Sequence, residues 1–294
     1  MSLADSSSSQ IAVVDSAGQA REMTQQWKRA GESIAFVPTM GNLHAGHLAL
    51  VKAANESGMR TVVSIFVNPM QFGENEDLDT YPRSFDEDIA SLTELKVDMV
   101  FAPEASEIYP DPDHGTTVYV QGLSDMLEGE CRPGFFTGVA TVVNILFNII
   151  QPDVAWFGEK DYQQLLVIRK MVQDLALPIT INAVPTVREG DGLALSSRNS
   201  YLNAEQRRIA ANLYRCLQHA VDSADEGMDY HYAVVHANQE LTAAGFVTDY
   251  VVVRRQEDLE VPTSNDKSLI VLAAARLDGV RLIDNIPFEL MKQP

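Results

Sequence analysis

Strand-like runs alternating with amphipathic helical patterns predict a doubly wound α/β protein with a smaller α+β domain at the C-terminal end. Three features carry this expectation. Two short apolar runs, Ile34 to Val37 and Val154 to Phe157, each pass through a glycine-bearing turn into a helix. Beyond about residue 190 the order changes, with two helical stretches first and three strand-like runs after them.

A chain of 294 residues exceeds the usual single-domain size, so we expect a first domain over 1–190 and a second over 191–294. The 46% hydrophobic content is ample for a core. Against 41 acidic residues stand 22 Lys and Arg, a net charge of −19, which opposes a broad electrostatic footprint for nucleic acid or an anionic membrane. Small anions must therefore be held by local groups. Cys131 and Cys216 show neither zinc spacing nor a disulfide framework, so a reduced, cytoplasmic protein is expected. Residues 1–10 are Ser-rich, lack the features of a signal peptide, and are expected to form a disordered tail. No stretch approaches the ~20 apolar residues of a membrane span.

In chain order, Ser16 caps a helix from Ala17 to Ala30, and Gly31 ends it. The Ile34 strand follows, and then a helix expected to start near Leu43, with Leu43, His47, Leu50, Val51 and Ala54 on its buried face. Thr61 to Val67 is β-branched and aromatic, as a strand buried on both faces requires. Its end delivers Asn68 and Gln71 to a loop where open α/β sheets bind ligands. A helix runs to about Lys96, Val97 to Phe101 is a strand, and Val118 to Val120 is read as an edge strand. Thr137 is placed to cap an apolar core helix over Val139 to Ile150. After the Val154 strand and its turn come a helix from Tyr162 to Leu175, a strand from Ile179 to Val184, and a hinge at Pro185 to Gly192. Asn203 caps one long helix bearing Ile209, Leu213 and Leu217, and a second ends at Gly245. The strands Val247 to Val253, Ser268 to Ala275 and Gly279 to Asp284 complete the chain, the last two joined by a hairpin at Asp278-Gly279.

Chemistry concentrates at the turns. His44 and His47 lie three apart at a helix start, where unpaired N–H groups and the dipole suit a polyphosphate and favour neutral imidazoles. Gly158-Glu-Lys-Asp161 is the matching turn after the second strand and should open onto the same crevice. At the domain boundary, Leu195-Ser-Ser-Arg198 offers hydroxyls and a guanidinium as a phosphate clamp. Asp86, Glu87 and Asp88 could reach a metal or form a solvated helix start, and protein metal ligands stay open.

Taken together, Pro38-Thr-Met-Gly-Asn-Leu-His-Ala-Gly-His47, Phe66-Val-Asn-Pro-Met-Gln-Phe-Gly73, Tyr81-Pro-Arg83, Arg132-Pro-Gly134, Phe157-Gly-Glu-Lys-Asp-Tyr-Gln-Gln164 and Asp191-Gly-Leu-Ala-Leu-Ser-Ser-Arg-Asn199 closely resemble the pantothenate synthetases. That family belongs to the nucleotidyltransferase superfamily and has a Rossmann-like fold. The resemblance implies ATP-dependent condensation of pantoate with β-alanine through pantoyl adenylate, with Mg²⁺ and usually as a homodimer. It implies ATP contacts at Pro38, Met40, Gly41, Asn42, Leu43, His44, Ala45, Gly46 and His47, with His47 as proton donor. Gly158, Glu159, Lys160, Asp161, Val187, Leu195, Ser196, Ser197 and Arg198 would complete the nucleotide site. His44, His47, Lys160 and Arg198 would be catalytic; Gln71 and Gln164 would hold pantoate, with Gln71 also facing β-alanine, and Asn68 and Tyr81 would be further substrate-binding residues. One departure is Phe135, where the family commonly has histidine. The competing readings are an adenylyltransferase acting on a phosphate-bearing substrate and a non-catalytic nucleotide-binding module; net −19 counts against a tRNA-charging enzyme.

Overall fold

The computed structural model describes residues 11–73, 76–112 and 114–290, so the tail expected over residues 1–10 lies outside them. Six strands, β1 (Ala12–Val14), β2 (Ile34–Thr39), β3 (Arg60–Ile65), β4 (Met99–Phe101), β5 (Val154–Gly158) and β6 (Thr180–Val184), form one sheet in the order β1-β4-β3-β2-β5-β6. Every pairing in it is parallel. The short β1 lies in the apolar run Ile11-Ala-Val-Val14, which is not among the expected elements, and it pairs with β4.

The side-chain period of two explains why both faces are covered. Ile34, Phe36, Val62, Met99 and Phe101 point into one apolar cluster, while Ala35, Val37, Val63 and Val100 point into another. The first cluster is closed by α1 (Ala17–Arg29), α6 (Phe135–Ile150) and α7 (Tyr162–Asp174); the second by α2 (Ala45–Glu56) and α3 (Phe85–Glu94). Two single-turn helices, α4 (Ala105–Ile108) and α5 (Glu128–Cys131), lie in the connection between β4 and α6. Strand order reverses between β2 and β5, so their carboxyl ends flank the crevice where such sheets take ligands.

The C-terminal part packs α8 (Ala204–Ala210), α9 (Asn212–Asp225) and α10 (Tyr230–Ala243) with an antiparallel sheet of β7 (Val247–Arg255), β8 (Ser268–Leu277) and β9 (Val280–Glu289). Asp278 and Gly279 form the β8–β9 turn at φ 47° and 87°, the positive angles a two-residue hairpin demands. β8 is buried on both sides: Leu269, Val271 and Ala273 meet the C-terminal helices, while Ile270 and Leu272 meet Leu127 and Leu166 of the first part.

Four local expectations are corrected. α2 starts at Ala45 with His44 as its N-cap, because Asn42 sits at φ 49° and the Leu43 N–H is bound elsewhere. Val118 to Val120 forms no strand, since the Val118 N–H donates to Thr141 Oγ1 of α6 at 2.9 Å. Thr137 lies inside α6, which begins at Phe135 behind Gly134 because Phe136 is drawn into the core. The long helix after Asn203 is two, broken at Ala211: Gln206 of α8 is fastened to the hairpin residue Asp278, whereas α9 follows β8 and β9.

Candidate active site

The loop between β2 and α2 is held by a residue that lies far from it in sequence. Asp88 of α3, 2% exposed, accepts the backbone N–H groups of Asn42 and Leu43 at 2.8 Å each. Its neighbours Asp86 and Glu87 are exposed. Asp88 is thus an anionic cap for the loop and not a solvated helix start.

Hydrogen bonds within the pair set the histidine chemistry. The Gly46 N–H donates to His44 Nδ1 at 3.1 Å, and the His44 N–H donates to His47 Nδ1 at 3.4 Å. Both Nδ1 atoms act as acceptors, which assigns each ring's single proton to Nε2. The rings lie with centroids 4.1 Å apart, tilted by 32° to one another. Burial, then the Lys160 charge, lowers the His44 pKa to about 4. Burial, His44 and Lys160 together lower that of His47 to about 3. Both are therefore neutral N–H donors at neutral pH. Desolvation dominates here, where the sequence suggested the helix dipole.

Three segments converge on one cavity of about 920 Å³. Lys160 enters from the 3₁₀ turn Glu159–Asp161 after β5, its Nζ 3.7 Å from Asp161 Oδ1. The clamp enters from Leu195 and the turn Ser197–Tyr201; the Leu195 N–H binds the Val187 carbonyl at 3.0 Å, and Ser197 Oγ donates to the Asn42 carbonyl at 3.4 Å. Arg198 pairs with Asp77 at 2.9 Å. Pro38, Met40, His44, Gly46, His47, Gly158, Lys160, Asp161, Val187 and Leu195 to Arg198 all line the cavity. Gly41, Asn42, Leu43, Ala45 and Glu159 do not.

A family model described as Pantoate-beta-alanine ligase matches residues 12–287. The chain belongs to this ligase family. The pantothenate synthetase of Shewanella amazonensis is 53% identical over 278 residues, 94% of this chain and 98% of the relative. That of Methylococcus capsulatus is 53% identical over 90% of this chain and 93% of its own length. The crystal structure of pantothenate synthetase from Thermus thermophilus superposes with a TM-score of 0.88 at 45% identity, covering 94% of this chain and 99% of that one. Pantoate-beta-alanine ligase from Francisella tularensis, complexed with β,γ-ATP and β-alanine, gives 0.80 at 33% identity, covering 94% and 97%.

The four residues expected to bind substrate fall into different kinds in this ligase. All four line the cavity. The amide of Asn68, 1% exposed, is spent within the protein: it donates to Gln71 Oε1 and the Gly138 carbonyl, and accepts from the Met70 N–H and the Tyr109 hydroxyl. Asn68 therefore orients Gln71, whose Nε2 lies 2.9 Å from Met40 Sδ. The Gln164 amide has no hydrogen-bond partner among the described residues, and Tyr81 is buried against Phe72. Arg132, absent from the expected site, lines the wall, binds Glu76 and the Gln71 carbonyl, and lies 3.8 Å over the Phe135 ring. The aromatic departure at Phe135 thus serves as a stacking surface for that guanidinium. The Arg-Pro-Gly segment was the only signal for it in the sequence.

Proposed function

We propose that this ligase activates pantoate with ATP and joins it to β-alanine. The observation that carries this reading is the convergence of the two Nε2–H donors, the Lys160 ammonium and the Arg198 guanidinium on one cavity at the sheet's switch point. In the first step a pantoate carboxylate oxygen bonds to the α-phosphorus of ATP and pyrophosphate leaves, giving pantoyl adenylate. In the second the neutral amine of β-alanine attacks the acyl carbon, AMP leaves, and the nitrogen sheds a proton as the amide forms.

Charge grows on the departing pyrophosphate, and donors fixed beforehand stabilise it without reorganising. The resemblance makes His47 a proton donor; we read both His44 and His47 as neutral N–H donors, so that this role is hydrogen-bond donation from Nε2 and not proton release from an imidazolium. Gln71 and the unengaged Gln164 amide suit the hydroxyls and carboxylate of pantoate without adding charge that competes for phosphate. Among the described residues no three His, Cys, Asp or Glu side chains gather as a metal-ligand set, and a Mg²⁺ would come to the cavity with the nucleotide's phosphates. When bound, it would neutralise phosphate charge, and Asp161 is the carboxylate beside Lys160.

We also read the chain as a homodimer of cytoplasmic subunits, with the division at 190 and 191 separating a nucleotide and pantoate domain from a lid. The two free cysteines suit a reducing compartment. No helix among the described residues is long and apolar enough to cross a membrane. The test is pyrophosphate release from ATP and pantoate with β-alanine withheld, followed by AMP release when the amine is added. Release that ignores pantoate would instead indicate an adenylyltransferase acting on another acceptor.

A further inference from the structure

Asn285 lies on β9 in the C-terminal sheet but makes its side-chain bonds in the other half of the protein. It is 3% exposed and lines the cavity wall. Its Nδ2 donates to the Glu159 carbonyl at 3.0 Å and to the Lys160 carbonyl at 2.9 Å. These two acceptors fix the amide's orientation, because the flipped form would set oxygen against two oxygens. The other end, Oδ1, is buried and has no partner among the described residues, so among them the side chain is fastened only through those two donors.

The preceding residue makes β9 a firm base. Asp284, 2% exposed, receives both terminal nitrogens of Arg188 at 2.6 and 2.9 Å. Arg188 also donates to the carbonyls of Gly192 and Asn285, and its guanidinium lies 4.0 Å from the Tyr214 ring centre. One short stretch of β9 therefore grips both the turn that carries Lys160 and the segment leading to the clamp.

We propose that Asn285 is a positioning residue for Lys160, holding the backbone of its turn so that the ammonium meets the phosphates. The physical need is plain: a lysine ammonium stands at the end of a four-carbon stem, and only a fixed backbone confines it. A displacement of about 1 Å can cost roughly a hundredfold in rate. The proposal rests on the reading of Lys160 as a phosphate contact.

The test is a double-mutant cycle on pyrophosphate release, using Asn285→Ala, Lys160→Ala and both together. The expected result is a loss of about 10- to 100-fold for Asn285→Ala in the unsubstituted enzyme, falling on kcat, and no further loss beyond about twofold when Lys160 is already alanine. Equal losses in the two backgrounds would mean that Asn285 only supports the fold, and would overturn the proposal. So would a near-normal rate for Asn285→Ala. Should the alanine variant not fold, Asn285→Ser, which keeps a polar group too short to reach either carbonyl, is read by the same criteria. A near-normal rate for Lys160→Ala alone would remove the underlying reading of that lysine as well, which distinguishes the two failures.

Discussion

Protonating either histidine of the pair would convert an Nδ1 acceptor into a donor and break a bond that shapes the loop. The unperturbed value of 6.5 falls to about 4 for His44 and about 3 for His47. Between those values and 6.5 the unfolded chain binds more protons than the folded one, so stability is complete above 6.5 and declines as pH drops through the window. Replacing both residues by asparagine should make the fall in urea midpoint from about pH 7 to about pH 5 shallower than in the parent. An equally steep fall would contradict the neutral, buried assignment. The rate of pyrophosphate release should likewise show no histidine limb near 6.5. Asn68 and Gln164 differ in the same residue-level terms. Asn68→Ala strands buried partners and should cost about 2 kcal/mol of stability. Gln164→Ala should leave the urea midpoint unchanged and raise the pantoate KM, and a shift in the ATP KM alone would exclude it from the acid's subsite. The histidine pair was legible because its partners lie within three residues. Asp88 was not, since it reaches a loop 45 residues before it.

At the scale of elements, the turns after β2 and β5 could be read because strand, glycine and helix are neighbours in sequence. How elements press on one another could not. α6 passes so close to the 3₁₀ turn Pro69–Gln71 that a Cβ on Gly138 would lie 2.2 Å from the Met70 carbonyl oxygen and 2.9 Å from the Gln71 nitrogen. Gly138→Ala must therefore push that turn aside, at about 2 kcal/mol, and carry Gln71 out of place. Chemical denaturation and the pantoate KM should both register it; normal values for the two would show that the turn yields freely. The split between α8 and α9 belongs to the same class, because the amphipathic pattern runs on through Ala211 while the partners of the two segments differ.

Across the whole molecule, polar bonds join the C-terminal part to helices of the first part. Arg281 of β9 meets Glu128 at 2.6 Å, and the Tyr162 hydroxyl donates to the Gln256 carbonyl at 3.0 Å. Arg281→Met would leave the nearly buried Glu128 with only Arg132, 3.2 Å away, and should destabilise the protein by about 3 kcal/mol. A urea-measured loss below about 1 kcal/mol would place the pair with solvent-screened surface bridges.

Periodicity, turn chemistry and spacing along the chain determined the parallel sheet, the antiparallel C-terminal strands and the glycine-bearing turns that open onto the cavity. Each depends on residues within a turn or two of one another. Tertiary structure alone decided which of those residues are free to meet a ligand. Asn68 is consumed by its neighbours while Gln164 is not, Asp88 holds the histidine loop, and Asn285 crosses from one sheet to brace a turn beside the other. A buried polar group takes whatever partner the fold brings near, and that partner has no fixed place in the sequence.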